Sequence, residues 1–130
     1  MVKNKLIEWA LRISIACTFI GHGVFALNVN PKWLNYLTTI GFSLDMARYI
    51  MPYIGVLDIF VGLHTIALPR KYILIWATFW AFSAALIRPI SGEPIWSFIE
   101  RAANWTAPLV LLLIIHQKNN KPNPHIKVPQ

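Results

Sequence analysis

Residues 71–116, KYILIWATFWAFSAALIRPISGEPIWSFIERAANWTAPLVLLLIIH, decide the fold. After Lys71 no charged side chain occurs until Arg88, and none occurs from Trp105 to Ile115. Between these apolar runs Pro89, Gly92 and Pro94 punctuate the chain, and Arg88, Glu93, Glu100 and Arg101 collect at the seam. A helix rises about 1.5 Å per residue, so about 20 apolar residues cross a hydrocarbon layer roughly 30 Å thick. The stretch reads as a helical hairpin in a bilayer, with its charges near the turn.

The same reading extends toward the N-terminus and gives four spans, Leu6–Leu27, Asp45–Leu68, Lys71–Ile87 and Pro94–His116. Pro69 ends the second, Pro89 ends the third, and Pro94 occupies the first position of the fourth. Composition agrees, with 56% hydrophobic and 13% charged residues, too apolar for the wet surface of a soluble domain of 130 residues. The expectation is an all-α integral membrane four-helix bundle forming one domain, residues 1–116, followed by a polar tail, 117–130. The first span is longer than a signal-peptide core and is interrupted by Glu8 and Arg12, so it reads as a retained helix. Between spans one and two, NPKWLNYLTTIG predicts a short interfacial helix. Asn30 caps it, Pro31 starts it, Gly41 ends it, and Trp33, Leu34, Leu37 and Ile40 form its apolar side.

Net charge is +7, but the basic residues are spread over ends and loops, which reads as orientation signal and not as a nucleic-acid surface. Lys3, Lys5, Arg70, Lys71, Lys118, Lys121 and Lys127 fall on one side of the bundle, and Lys32, Arg48, Arg88 and Arg101 on the other. The positive-inside rule then puts both termini in the cytoplasm, in a bacterial inner membrane. Trp9, Trp33, Trp76 and Trp96 read as interface anchors, and His64 and His116 as interfacial histidines.

Polar residues within the spans share faces. Gly55, Asp58, Gly62 and Thr65 lie within about 80° on span two, which turns Asp58 toward a neighbouring helix. Thr78, Ala81, Ala85 and Arg88 share an arc of span three, Ser14, Thr18 and His22 form an i, i+4 ladder on span one, and Glu100, Asn104 and Pro108 do so on span four. By depth, His22, Asp58, Arg88, Glu93, Glu100, Arg101 and Asn104 are assigned to one outward-facing polar pocket. Intramembrane charges are costly unless paired, so Arg101 is expected to pair with Asp58, and Arg88 with Glu93 or Glu100. Both a structural clamp and a ligand- or proton-handling pocket fit this pattern. Glu8 and Arg12, also i, i+4, read as a clamp at the inner interface.

Several chemistries are disfavoured. Cys17 is the single cysteine, which removes dithiol exchange and cysteine-ligated metal, and no metal site is expected. His22 and His64 differ in depth by about 15 Å, too far to be axial ligands of one haem.

RISIACTFIGHG in span one, GVLDIFVGL in span two and RPISGEPIWSFIERAANWTAPLVLLLI into span four resemble the DoxX family of small four-helix membrane proteins. The resemblance covers most of residues 7–115, with Asp58 where many members carry Glu. It implies a role associated with membrane redox complexes, the family's namesakes being linked to thiosulfate:quinone oxidoreductase. The leading expectation is an accessory or anchoring subunit of a larger membrane complex, not catalytic alone, in contact with the lipid bilayer and a protein partner. One alternative is a quinone- or sulfur-anion-binding subunit, with a quinone as the candidate cofactor, and another is a small transporter or proton path. Phe79, Trp80 and Phe82 are candidates for partner contact, and equally for lipid contact.

Overall fold

In a computed structural model, described here for residues 2–120, the chain is all-helical. Helix α1 spans Val2–Leu27, α2 Pro31–Thr39, α3 Leu44–Ala67, α4 Lys71–Ile90, α5 Trp96–Ile99 and α6 Ala102–Asn119. Four segments are long and apolar enough to cross a membrane, Lys5–Leu27, Leu44–Ala67, Lys71–Ile90 and Trp96–Asn119. They make up a helical bundle whose outer surface carries exposed large apolar side chains, including Phe60, Leu63, Phe79 and Leu113. Such a surface is stable against lipid and not against water.

Local chemistry accounts for the ends. Asn30 Oδ1 accepts from the Lys32 amide at 3.1 Å, Pro31 fills the first turn of α2, and Gly41 takes φ +105° just beyond it. Ser43 caps α3 by accepting from the Met46 amide at 3.2 Å.

The last span opens at Trp96 and leaves Pro94 outside the helix it was expected to start, and other boundaries also differ from expectation. Helix α4 runs through Pro89 to Ile90, because a proline one residue from a helix end removes a single backbone bond, and the Ser91 amide closes the turn on the Ile87 and Arg88 carbonyls. The last span is broken, with turn residues Glu100 and Arg101 between α5 and α6. It also continues past His116 to Asn119, so residues 117–119 are helix and not tail; residues 121–130 lie outside the described residues.

The four sides of the bundle are unequal. Contact is most extensive between α1 and α3, then between α4 and α6, and α1 closes against α6, whereas α3 and α4 touch least. Two tight helix pairs therefore meet along one side and part along the other. Glycines set the first seam. A Cβ on Gly55 would stand 2.7 Å from the Gly23 carbonyl oxygen, and one on Gly62 would stand 3.1 Å from that of Ala16. Only backbone-to-backbone approach leaves so little room. One core cluster, Ile15, Phe19, Val61, Leu74, Ala77, Ala81 and Leu111, fills the middle. A second, Ala26, Leu34, Ala47 and Met51, with Trp33 and Leu37 packed against it, fixes α2 on the ends of α1 and α3. Helix α2 is thus a cap bound to the bundle as well as an amphipathic surface helix.

Candidate functional site

The glycine seam fixes the height of the polar side chains. Gly23 faces Gly55 and Ile59, and Gly62 faces Ala16 and Ile20, so the antiparallel register sets His22 level with Asp58. Above them, where α3 and α4 part, lies a cavity of about 260 Å³. Met51, Ile54 and Asp58 of α3 line it on one side, and Trp80, Ala84, Ile87 and Arg88 of α4 on the other. Thr18, Phe19 and His22 come from α1, Arg101 and Asn104 from the last span, and Trp33, Tyr36, Leu37 and Ile40 close the top from α2. The lining is mostly aliphatic and aromatic, with polar atoms gathered at a few points.

Five of the seven residues assigned to a pocket by depth and face line this cavity: His22, Asp58, Arg88, Arg101 and Asn104. Glu93 and Glu100 do not. Glu100 sits in the turn between α5 and α6 with its side chain 64% exposed. The break rotates it away from the face it would share with Asn104 in a continuous helix.

The expected Arg101–Asp58 pair is absent. Arg101 is engaged locally, donating from Nη1 to the Ser97 carbonyl at 2.8 Å and to the Glu100 carboxylate beside it. Asp58 is 5% exposed, and among the described residues no cation lies within salt-bridge distance of it. Its Oδ1 is buried with no hydrogen-bond partner, and Trp80 is its polar neighbour. The physical reason is height. Arg101 is held at the top of the last span by its own turn, whereas Asp58 lies about 21 Å along α3 from Leu44.

Arg88 belongs instead to a latch between the cap and the bundle. Its Nη1 donates to Tyr36 Oη at 2.9 Å, and its guanidinium lies 5.1 Å from the Tyr36 ring centroid. Tyr36 Oη in turn donates to Glu93 Oε1, and Arg88 Nη1 lies 3.6 Å from Glu93 Oε2. Asn35 Nδ2 adds a bond to the Ser91 carbonyl at 3.2 Å. Burial, and then the bond to Glu93, push the Tyr36 hydroxyl up to about 12. The Tyr36 hydroxyl, followed by Ser97 and Arg88, holds the Glu93 carboxyl below its usual range against a smaller opposing effect of burial. Arg88 Nε remains buried and unpartnered.

Three contributors lie outside the assigned set. Tyr36 is invisible as a site residue until α2 is docked. Trp33 lines the cavity, with its ring 5.5 Å from that of His22. Trp80 is half-buried, lines the cavity beside Asp58 and stacks on Trp76 at 5.4 Å, while Phe79 stays 60% exposed. The sequence does carry one signal for the cap: Trp33, Leu37 and Ile40 repeat at helical spacing on a segment too short to span.

A second polar centre sits at the opposite end. Glu8, 7% exposed, accepts from Arg12 one turn along α1 and from Lys118 Nζ of α6 at 2.8 Å. Arg12 Nη1 also reaches the Ile66 carbonyl of α3 at 3.4 Å. Among the described residues no group of three His, Cys, Asp or Glu side chains is placed to hold a metal ion.

No family model matches the sequence, and no curated protein or solved structure does so either.

Proposed function

We propose that this chain is a membrane-embedded subunit that holds a lipid-soluble ligand of the quinone class and works within a larger membrane complex. The cavity carries this reading. Its walls are mostly apolar, it faces the parting between α3 and α4 from which a bilayer-dissolved molecule would enter, and Arg88, Arg101, His22 and Asn104 supply its polar lining at separate points. A small sulfur anion fits it less well, because most of the lining is aliphatic or aromatic and the Asp58 carboxylate repels negative charge. A proton path is supported less, since the core cluster beneath Asp58 is apolar from Val61 to Leu74 and Leu111.

The resemblance to DoxX-like proteins supports the association with a redox complex. The seven-to-four distribution of basic residues supports cytoplasmic termini in a bacterial inner membrane, which would turn the α2 cap outward. The test uses the full chain in nanodiscs, titrated with a short-chain benzoquinone while tryptophan emission is followed, since Trp33 and Trp80 line the cavity. Saturable quenching, weakened about tenfold by Arg88→Gln, is the expected result. Quenching that rises linearly without saturation, in both the parent chain and the variant, overturns the reading.

A further inference from the structure

We infer that the cavity selects the hydroxyl-bearing, reduced form of its ligand, with Asp58 receiving the hydroxyl hydrogen and the arginine end receiving the ligand's second oxygen. This rests on the quinone-class reading above and adds to it the hydrogen-bond character of the bound head.

The two ends of the cavity carry opposite needs. At the floor, Asp58 Oδ1 is a buried acceptor without a partner, on a side chain 5% exposed. Among the described residues no side chain donates to that oxygen. Thr18 has its hydroxyl donated to the Ser14 carbonyl at 3.0 Å, along its own helix. Arg101 is held by Ser97 and Glu100, and Arg88 by Tyr36 and Glu93. Trp80 has one indole N–H to give, and a carboxylate has two oxygens to satisfy. At the roof, Arg88 Nε is a buried donor without a partner.

An aliphatic occupant would leave both atoms orphaned. A ligand with acceptors at both ends would satisfy the arginine and set a carbonyl oxygen against the Asp58 carboxylate. A head with a hydroxyl at one end and an oxygen at the other satisfies both. The distance is suitable. Trp80, beside Asp58, and Arg88 are eight residues apart on α4, about 12 Å of rise, comparable to a ring carrying two opposed oxygens with one hydrogen bond at each end.

The experiment compares three probes of one chain length on the full chain in nanodiscs, under anaerobic calorimetry: a benzoquinol, its di-O-methyl ether and the parent benzoquinone. The benzoquinol is expected to bind about tenfold tighter than the other two, and Asp58→Asn to reduce that preference to within about threefold. Arg88→Gln serves as the control that weakens all three probes alike. Equal affinity of quinol and ether overturns the inference while leaving the quinone-class reading intact. A preference that survives Asp58→Asn also overturns it. Absence of saturable binding by all three overturns both. The parent-chain comparison decides the matter even if Asp58→Asn does not fold.

Discussion

The bundle has two buried acids, and they have been treated in opposite ways. Glu8 is surrounded: Arg12 from its own helix and Lys118 from α6 both donate to it, and Arg12 adds a bond to α3. Three helices are thereby tied at the end that carries the N-terminus. Among the described residues no cation lies within salt-bridge distance of Asp58, which lines a cavity. A closed ion cluster holds helix ends together, while an acid beside a void has no compensating charge within reach. The cations that could have closed the second site are engaged in the cap latch and the Glu100 turn.

The largest expected effect tests this contrast directly. Glu8→Ala leaves Arg12 and Lys118 facing each other with no acid between them. Lys118 is 54% exposed and can return to water, so the loss is expected at about 2 kcal/mol, below the cost of breaking a fully buried pair. Asp58→Asn removes no ion pair and is expected to change stability by less than about 1 kcal/mol. Denaturant unfolding of both variants in detergent measures the difference. Should Asp58→Asn prove the costlier substitution, Asp58 is paired in the membrane and the open-site description fails.

The sequence made the helices legible because their signals are strong and local: apolar length, the Asn30–Pro31 cap and Gly41. It also placed Asp58 on an inward face, through the small residues beside it. Pairing was less legible, because it depends on a few ångströms of height and on one turn of rotation. The break at Glu100 and Arg101 carries no proline or glycine, yet it turns Glu100 out and leaves Arg101 to its own turn. On α4, Ala81, Ala85 and Arg88 of the expected arc line the cavity, and Trp80, Ala84 and Ile87 beside them widen it. Lys118 was hidden for a related reason, since its partner Glu8 is 110 residues away and its own helix was expected to end at His116.

A smaller effect sharpens the comparison at the cavity end. Tyr36→Phe keeps the ring under Arg88 but removes the hydroxyl that receives from Arg88 and donates to Glu93. Losing these bonds should weaken docking of α2 by about 1 kcal/mol, read as a roughly fivefold faster amide exchange across residues 33–39. The Glu8 cluster lies at the far end of the bundle, so exchange in residues 8–12 should not change. Equal loosening at both ends would mean that the two centres act as one cooperative unit, and the distinction between cap and clamp would disappear.

The smallest expected effect is a flat response to pH, and its sign can be worked out group by group. Glu93 titrates below its ordinary value of 4.5 in the folded chain, chiefly because the Tyr36 hydroxyl donates to its charged form. A depressed carboxyl adds stability that is fully present above 4.5 and is lost as pH falls through the lowered folded value. Tyr36 is displaced the other way, from 10.0 to about 12, so its contribution is fully present below 10 and fades as pH rises toward 12. The two windows overlap from about pH 5 to pH 9, where the carboxylate accepts and the phenol still donates. Amide exchange in α2, corrected for the intrinsic pH dependence of exchange, should therefore be constant across that range. Below pH 4.5 protection should drop in the parent chain and stay level in Tyr36→Phe, which has no hydroxyl left to lose its partner. A change in protection centred near neutral pH would point to a group other than Glu93 and Tyr36. His22, whose ring lies edge-on to Trp33 beneath the same cap, is the residue to replace next.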